Sequence, residues 1–115
     1  CVDERSTTWP RIAASGRFCV NVLADDQAPV ARALARSGVR EKFASTAWER
    51  SECGSPVLAG AIARIECVPA ATHPAGDHLV VIGAVRHLAL LREQQPPLVH
   101  FRRAFHSLTP KGSDR

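Results

Sequence analysis

The chain has 115 residues, 45% of them hydrophobic and 23% charged, a composition that fits one globular domain and excludes disordered, collagenous and coiled-coil proteins. A chain of this size buries roughly two-thirds of the surface its unfolded form exposes, enough for one core without disulfide staples. Fifteen basic against eleven acidic residues give a net charge of +4, with the excess toward the C-terminus.

The longest apolar run, Leu79 to Val85, falls far short of the ~20 residues that span a bilayer, and no basic-then-apolar leader opens the chain. The expectation is a soluble, unexported, cytoplasmic protein with no membrane partner. Thirteen of the fifteen basic residues are Arg, but Arg11, Arg17, Arg32, Arg36, Arg64 and Arg86 are scattered without interleaved aromatics, which argues against nucleic acid as a partner. Cys1, Cys19, Cys53 and Cys67 form no C-x-x-C pair, and the histidines form no H-x-x-x-H pair, so no metal site is expected and the thiols read as reduced and mostly buried. The chain contains no Met and opens on Cys-Val, which reads as the end of a strand and suggests a piece of a longer protein.

In chain order, Thr7 or Thr8 caps a short helix over about residues 8–15, with Pro10 in its first turn and Gly16 as its stop. Arg17 to Ala24 reads as a buried strand broken only by Asn21, a hydrogen-bonded core amide. Asp25 or Asp26 caps a second helix, in which Val30, Ala31, Leu34 and Ala35 recur at helical spacing and Gly38 ends the run. Residues 39–56 read as a short helix or an irregular excursion. Ala61 to Val68 and Leu79 to Leu88 pair as a long antiparallel hairpin around the turn-forming stretch Pro69 to His78, and Gly83 marks a bulge or a close backbone approach. In the first of these strands, polar Arg64 and Glu66 alternate with Ala63, Ile65 and Cys67. Leu98 to Phe101 is a last strand, and residues 109–115 read as a disordered tail after a domain over 1–108. The pattern predicts a mainly β protein, a small antiparallel barrel decorated with helices. No glycine-rich dinucleotide fingerprint or phosphate loop is present, which excludes a Rossmann domain.

Chemistry could sit at three places. Ser6, Thr7 and Thr8 cluster hydroxyls at a helix start, a phosphate cradle or an ordinary cap. Gly76-Asp77-His78 stands an imidazole at the mouth of the hairpin, and Lys42-Phe43 sets a cation beside an aromatic.

Taken in order, the segments CVDERSTTWPRI, SGRFCVNVLADDQ, EKFA, GSPVLAGAIARIEC, AGDHLVVIG and PPLVHFRRAF resemble the flavin reductase family over Cys1 to about Leu108. That resemblance implies an FMN-binding split β-barrel, antiparallel and Greek-key-like, here missing its N-terminal strands. It implies NADH- or NADPH-dependent reduction of FMN, with FAD the other flavin, in a homodimer that supplies reduced flavin to a partner monooxygenase. It matches Ser6, Thr7 and Thr8 to the flavin phosphate, Lys42 and Phe43 to the edge of the flavin site, and His78 to the catalytic position beside the flavin ring, where the nicotinamide stacks. Phe101, Arg102 and Arg103 match the segment toward the nicotinamide dinucleotide, less closely because a glycine often follows the aromatic there. The family's N-terminal strand and loop have no match, so the piece alone is expected to hold flavin poorly and to be inactive. A non-catalytic flavin-binding module is the alternative.

Overall fold

The computed structural model describes residues 1–36, 42–109 and 111–112. Its elements are β1 (Val2–Asp3), α1 (Trp9–Ser15), β2 (Phe18–Val22), α2 (Ala28–Ala35), β3 (Trp48–Arg50), β4 (Pro56–Leu58), β5 (Ala63–Ala75), β6 (His78–Leu90), β7 (Leu98–Phe101) and β8 (Ala104–Ser107). Helices are few and strands antiparallel, as the pattern predicts.

The helix starts differ from expectation in detail. At α1 the Trp9 amide donates to Ser6 Oγ at 3.1 Å, and Thr8, the residue at the cap position, makes no side-chain cap bond. At α2 the cap position belongs to Gln27, not to Asp25 or Asp26. Gln27 is buried, accepting from the Ala24 amide at 3.0 Å and donating to the Ala59 carbonyl at 2.8 Å. The two aspartates turn outward to other partners: Asp25 accepts from Ser107 and Gln95, and Asp26 pairs with Arg92 at 3.0 Å. Gly38, the expected helix stop, lies outside the described residues.

The excursion expected over 39–56 contains a hairpin instead. Trp48 pairs with Leu58 and Arg50 with Pro56, and the turn is tied by Ser51, whose amide donates to the Ser55 carbonyl and whose Oγ accepts the Ser55 amide. The Ser51 hydroxyl and the backbone bonds of the turn, not a hydrophobic period, tie this stretch.

The main sheet has the order β1-β6-β5-β2. Its long hairpin extends further than expected: β5 runs to Ala75 and β6 begins at His78, so only Gly76-Asp77 turns. Pro69 and Pro74 suggested a loop, yet both lie in β5 beyond Cys67, where β2 no longer pairs and a missing N–H leaves no ladder bond unmade. Gly83 faces Pro69 beside a register shift, as a bulge predicts. β7 forms as predicted, whereas β8 is an addition. The β7–β8 hairpin is fastened to the end of β2 by the Leu98 amide donating to the Leu23 carbonyl at 2.9 Å and by the Ala24–Pro97 bridge.

Register aligns three rows on one face of the sheet: Phe18, Cys67 and Val85; Val20, Ile65 and Leu88; Val22, Ala63 and Leu90. Ala24, Val57, Leu58, Ala61 and Cys67 are the buried apolar residues among those described. Glu66, expected to be an ordinary polar member of an alternating strand, is 1% exposed, and neither carboxylate oxygen has a hydrogen-bond partner among the described residues. The thiols are all unpaired, but Cys1 and Cys53 are exposed, so burial holds for Cys67 and in part for Cys19. No described helix is long and apolar enough to cross a membrane.

Candidate active site

A cleft of about 600 Å³ runs along α1 between β2 and the β3–β4 hairpin. Thr8 stands at the cap position of α1, which supplies Arg11 and Ile12; β2 supplies Phe18, Cys19 and Asn21; Lys42, Phe43, Arg50 and Pro56 complete the lining. Four cations, Arg11, Arg17, Lys42 and Arg50, line it, and no carboxylate among the described residues does. The floor, with Ile12, Phe18, Leu23, Leu34 and Leu58, is apolar. A concave apolar floor with cations at the rim suits a planar ring system that carries phosphate.

Asn21 sets the width of the cleft. Its amide donates to the Pro56 carbonyl at 3.2 Å and accepts the Leu58 amide at 2.9 Å, which docks β4 onto β2. Lys42 donates to the Leu34 carbonyl at 3.2 Å, which anchors the start of the Lys42–Phe43 segment on α2. Phe43 packs on Trp48, with ring centroids 5.4 Å apart. Cys19 is not a poised nucleophile: burial first, then the nearby Glu66 carboxylate, raise its thiol above the ordinary value.

Of the residues singled out in the sequence, the cleft gathers Thr8, Lys42 and Phe43. Thr7 is exposed and does not line it, and Ser6 spends its hydroxyl oxygen on the α1 cap. His78 stands at the first residue of β6, opposite Asp3 of β1, with Nδ1 2.7 Å from Asp77 Oδ1. It does not line the cleft, but the chain leads directly from one to the other, since the Ser6 amide donates to the Asp3 carbonyl at 3.0 Å. The Asp3 carboxyl is held below its ordinary value, chiefly by the Arg5 amide and then by the Arg5 side chain. Phe101, Arg102 and Arg103 form the exposed tip of the β7–β8 hairpin, with the Arg102 guanidinium 5.2 Å from the Phe101 ring centroid. Sequence reasoning missed Arg11, Arg17 and Arg50 as a group because they come from three separate elements. Their convergence on one cleft becomes visible only in three dimensions.

The flavin reductase like domain model matches residues 1–109. The chain belongs to the flavin reductase-like family. It is 43% identical over 114 residues to the reductase subunit HsaB of a flavin-dependent monooxygenase from Mycobacterium tuberculosis H37Rv, covering 96% of this chain and 59% of that protein. A flavin reductase of Pseudomonas putida is 41% identical over 98 residues, covering 85% of this chain and 57% of its own length. Among solved structures, a homologue of nitrilotriacetate monooxygenase component B from Mycobacterium thermoresistibile superposes with a TM-score of 0.91 at 37% identity, covering 100% of this chain and 65% of that one. The NADH:FAD oxidoreductase SgcE6 of Streptomyces globisporus, in complex with NAD and FAD fragments, gives 0.90 at 26% identity, with 98% and 68% covered. The flavin reductase-like chain thus has the split-barrel fold of these structures, and it spans less than two-thirds of the length of the curated relatives it matches.

Proposed function

We propose that the protein reduces flavin at the expense of NADH or NADPH, within a domain over residues 1–108, and passes the reduced flavin to a monooxygenase. The observation that carries this reading is the cleft itself, in a member of the flavin reductase-like family: four cations, a hydroxyl and an aromatic edge over an apolar floor. FMN is the proposed flavin, a homodimer the proposed assembly and the cytoplasm the proposed location.

The residues present fit such a ligand. Thr8 and Lys42 supply a hydroxyl and an ammonium to a phosphate, with Ser6 and Thr7 on the adjoining segment, and Phe43 borders the ring. When bound, the flavin supplies the chemistry by accepting the hydride that the nicotinamide gives up. The protein's share is to hold two rings in contact and to keep the cleft positive as charge develops. His78 is assigned to orienting the nicotinamide, with Phe101, Arg102 and Arg103 toward the rest of that dinucleotide. No nucleophile or triad is required.

Stopped-flow reduction of bound flavin tests the assignment. His78→Ala should leave FMN affinity nearly intact and slow reduction by on the order of 100-fold, the scale of misplacement by about an ångström. Both measurements use the full-length protein: reduction at the wild-type rate removes His78 from the site, and absence of NADH oxidation by the full-length wild type with FMN removes the reading.

A further inference from the structure

The cationic rim is not evenly spread. Arg17 and Arg50 converge on Gly54, in the turn between β3 and β4. Arg50 Nη1 donates to the Gly54 carbonyl at 3.4 Å. The Arg17 guanidinium lies against the same residue, so close that a Cβ at Gly54 would stand 2.9 Å from its Nη2. Gly54 has φ +85, a conformation glycine adopts without penalty, so its lack of a side chain serves both the turn and the approach of the guanidinium. Neither arginine has an ion-pair partner among the described residues, where the salt bridges are Arg5–Asp3, His78–Asp77 and Arg92–Asp26. Like charges brought together without a counter-ion repel, and an arrangement of this kind is favourable when an anion sits between them.

This pair is separate from the Thr8 end of the cleft. Thr8 and Arg17 flank α1, whose seven residues span about 10 Å. Apolar Ile12, Phe18, Leu23, Leu34 and Leu58 line the same cleft. A ligand with a single phosphate at the Thr8 end leaves the arginine pair without an anion. One whose phosphate-bearing parts reach both ends engages the whole cleft. Beside the pair, the Trp48 indole, packed on Phe43 and lying 6.0 Å under the Arg50 guanidinium, keeps 41% of its surface exposed, so an exposed aromatic adjoins the cationic pair.

We infer that Arg17 and Arg50 form a second anion subsite, which takes the phosphate of the adenosine half of a dinucleotide. The inference rests on the flavin reductase reading for the source of that dinucleotide, either FAD in place of FMN or the nicotinamide cofactor with its adenosine end here instead of at the Phe101–Arg103 tip, but not for the chemistry of the subsite.

Titration of the protein with ADP, read by tryptophan fluorescence and calorimetry, tests it. Wild-type protein should bind ADP more tightly than adenosine. The double variant Arg17→Gln, Arg50→Gln should lose roughly tenfold or more in ADP affinity, the loss expected for two charge-assisted contacts to phosphate, while adenosine affinity stays unchanged. Arg17→Lys, Arg50→Lys retains the charge and should recover part of the loss, and thermal melts of each variant separate lost binding from lost folding. Two further arms name the source: FAD against FMN, and NAD⁺ against nicotinamide mononucleotide. The dinucleotide that loses affinity in the double variant while its mononucleotide does not is the occupant. No preference for ADP over adenosine in the wild type, equal ADP affinity in the double variant, or equal losses for mono- and dinucleotides would each overturn the inference. Absence of NADH oxidation by the full-length protein with either flavin would count against the flavin reductase reading and leave the ADP result standing.

Discussion

Asn21 of β2 bonds both faces of one peptide segment of β4, accepting the Leu58 amide and donating to the Pro56 carbonyl. Leu58 is buried, so removing the amide leaves its N–H without water or partner. Asn21→Ala should therefore destabilise the protein by about 2–4 kcal/mol, the combined loss for two such groups. The same change frees the β3–β4 wall of the cleft, so ligand affinity should fall as well. Chemical denaturation and ligand titration of the variant check both effects; unchanged stability would show that β4 docks by packing alone.

Gly83 sits where the Phe18 ring crosses β6. A Cβ there would stand 2.7 Å from Phe18 Cζ and 3.1 Å from Cys67 Cβ. The ring edge has room to swing, but Cys67 Cβ is fixed to its own strand. Gly83→Ala should cost about 1–3 kcal/mol, the range for overpacking, and lower the thermal midpoint. Phe18→Leu in the same background should recover part of the loss. A Gly83→Ala protein as stable as the wild type would show that the row relaxes freely.

These two positions also show what the sequence made legible. Asn21 stood out as the one polar residue in an apolar run, and Gly83 as a glycine inside a branched strand, so both could be read from local contrast. The length of the β5–β6 hairpin could not, because Pro69 and Pro74 break strands only where a neighbour needs their N–H, and pairing is a long-range fact. Glu66 misled for a related reason. Alternation places it on one face of β5, but whether water reaches that face depends on what folds over it. Among the site residues, Thr8, Lys42 and Phe43 were found as short local motifs, whereas the arginine rim arises from three elements and left no motif.

Glu66 carries a prediction of its own. Its buried carboxylate has no hydrogen-bond partner among the described residues, and an unpaired buried polar group costs about 1–3 kcal/mol, more when charged. Glu66→Gln removes the charge at nearly constant volume and should leave stability unchanged or raise it. It should also lower the Cys19 thiol toward its ordinary value, because the Glu66 charge is one of the causes that raise it. Thiol alkylation rates against pH measure the second effect. A strongly destabilised Glu66→Gln protein would mean that the carboxylate has a partner essential to the fold.

Acid should release the β7–β8 hairpin. Asp25 accepts from Ser107 of β8 and from Gln95, and these two bonds, in that order, hold its carboxyl below the ordinary value of 3.8. A depressed carboxyl contributes stability above its unfolded value and loses it as pH falls through the folded one. The tie is therefore complete at neutral pH and is lost below about pH 3.8. Amide exchange at Leu98 and Ser107 should accelerate over that acid range in the wild type, and Asp25→Asn should abolish the step. Identical acid profiles for the two proteins would sever the link between Asp25 and the hairpin.

The tip of that hairpin holds two arginines in a conformation they disfavour. Phe101 pairs with Ala104, and the residues between, Arg102 and Arg103, have φ of 51 and 63. A two-residue turn with φ positive at both positions favours Asn-Gly, and each side chain forced into the left-handed region costs about 1–2 kcal/mol. This is also where the flavin reductase resemblance weakened, since a glycine there would remove the strain that an arginine bears. Local strain of this kind persists where a side chain is needed for something else. With Arg102 and Arg103 assigned to the nicotinamide dinucleotide, Arg102→Asn with Arg103→Gly should pull stability and function in opposite directions. Stability should rise by about 1 kcal/mol, since the greater freedom of glycine in the unfolded chain offsets part of the relief. The KM for NADH should rise several-fold, with flavin affinity unchanged, as expected for losing exposed charge-assisted contacts to a diphosphate. A more stable variant with the wild-type KM would leave the arginines as strained surface residues and take the hairpin tip out of the site.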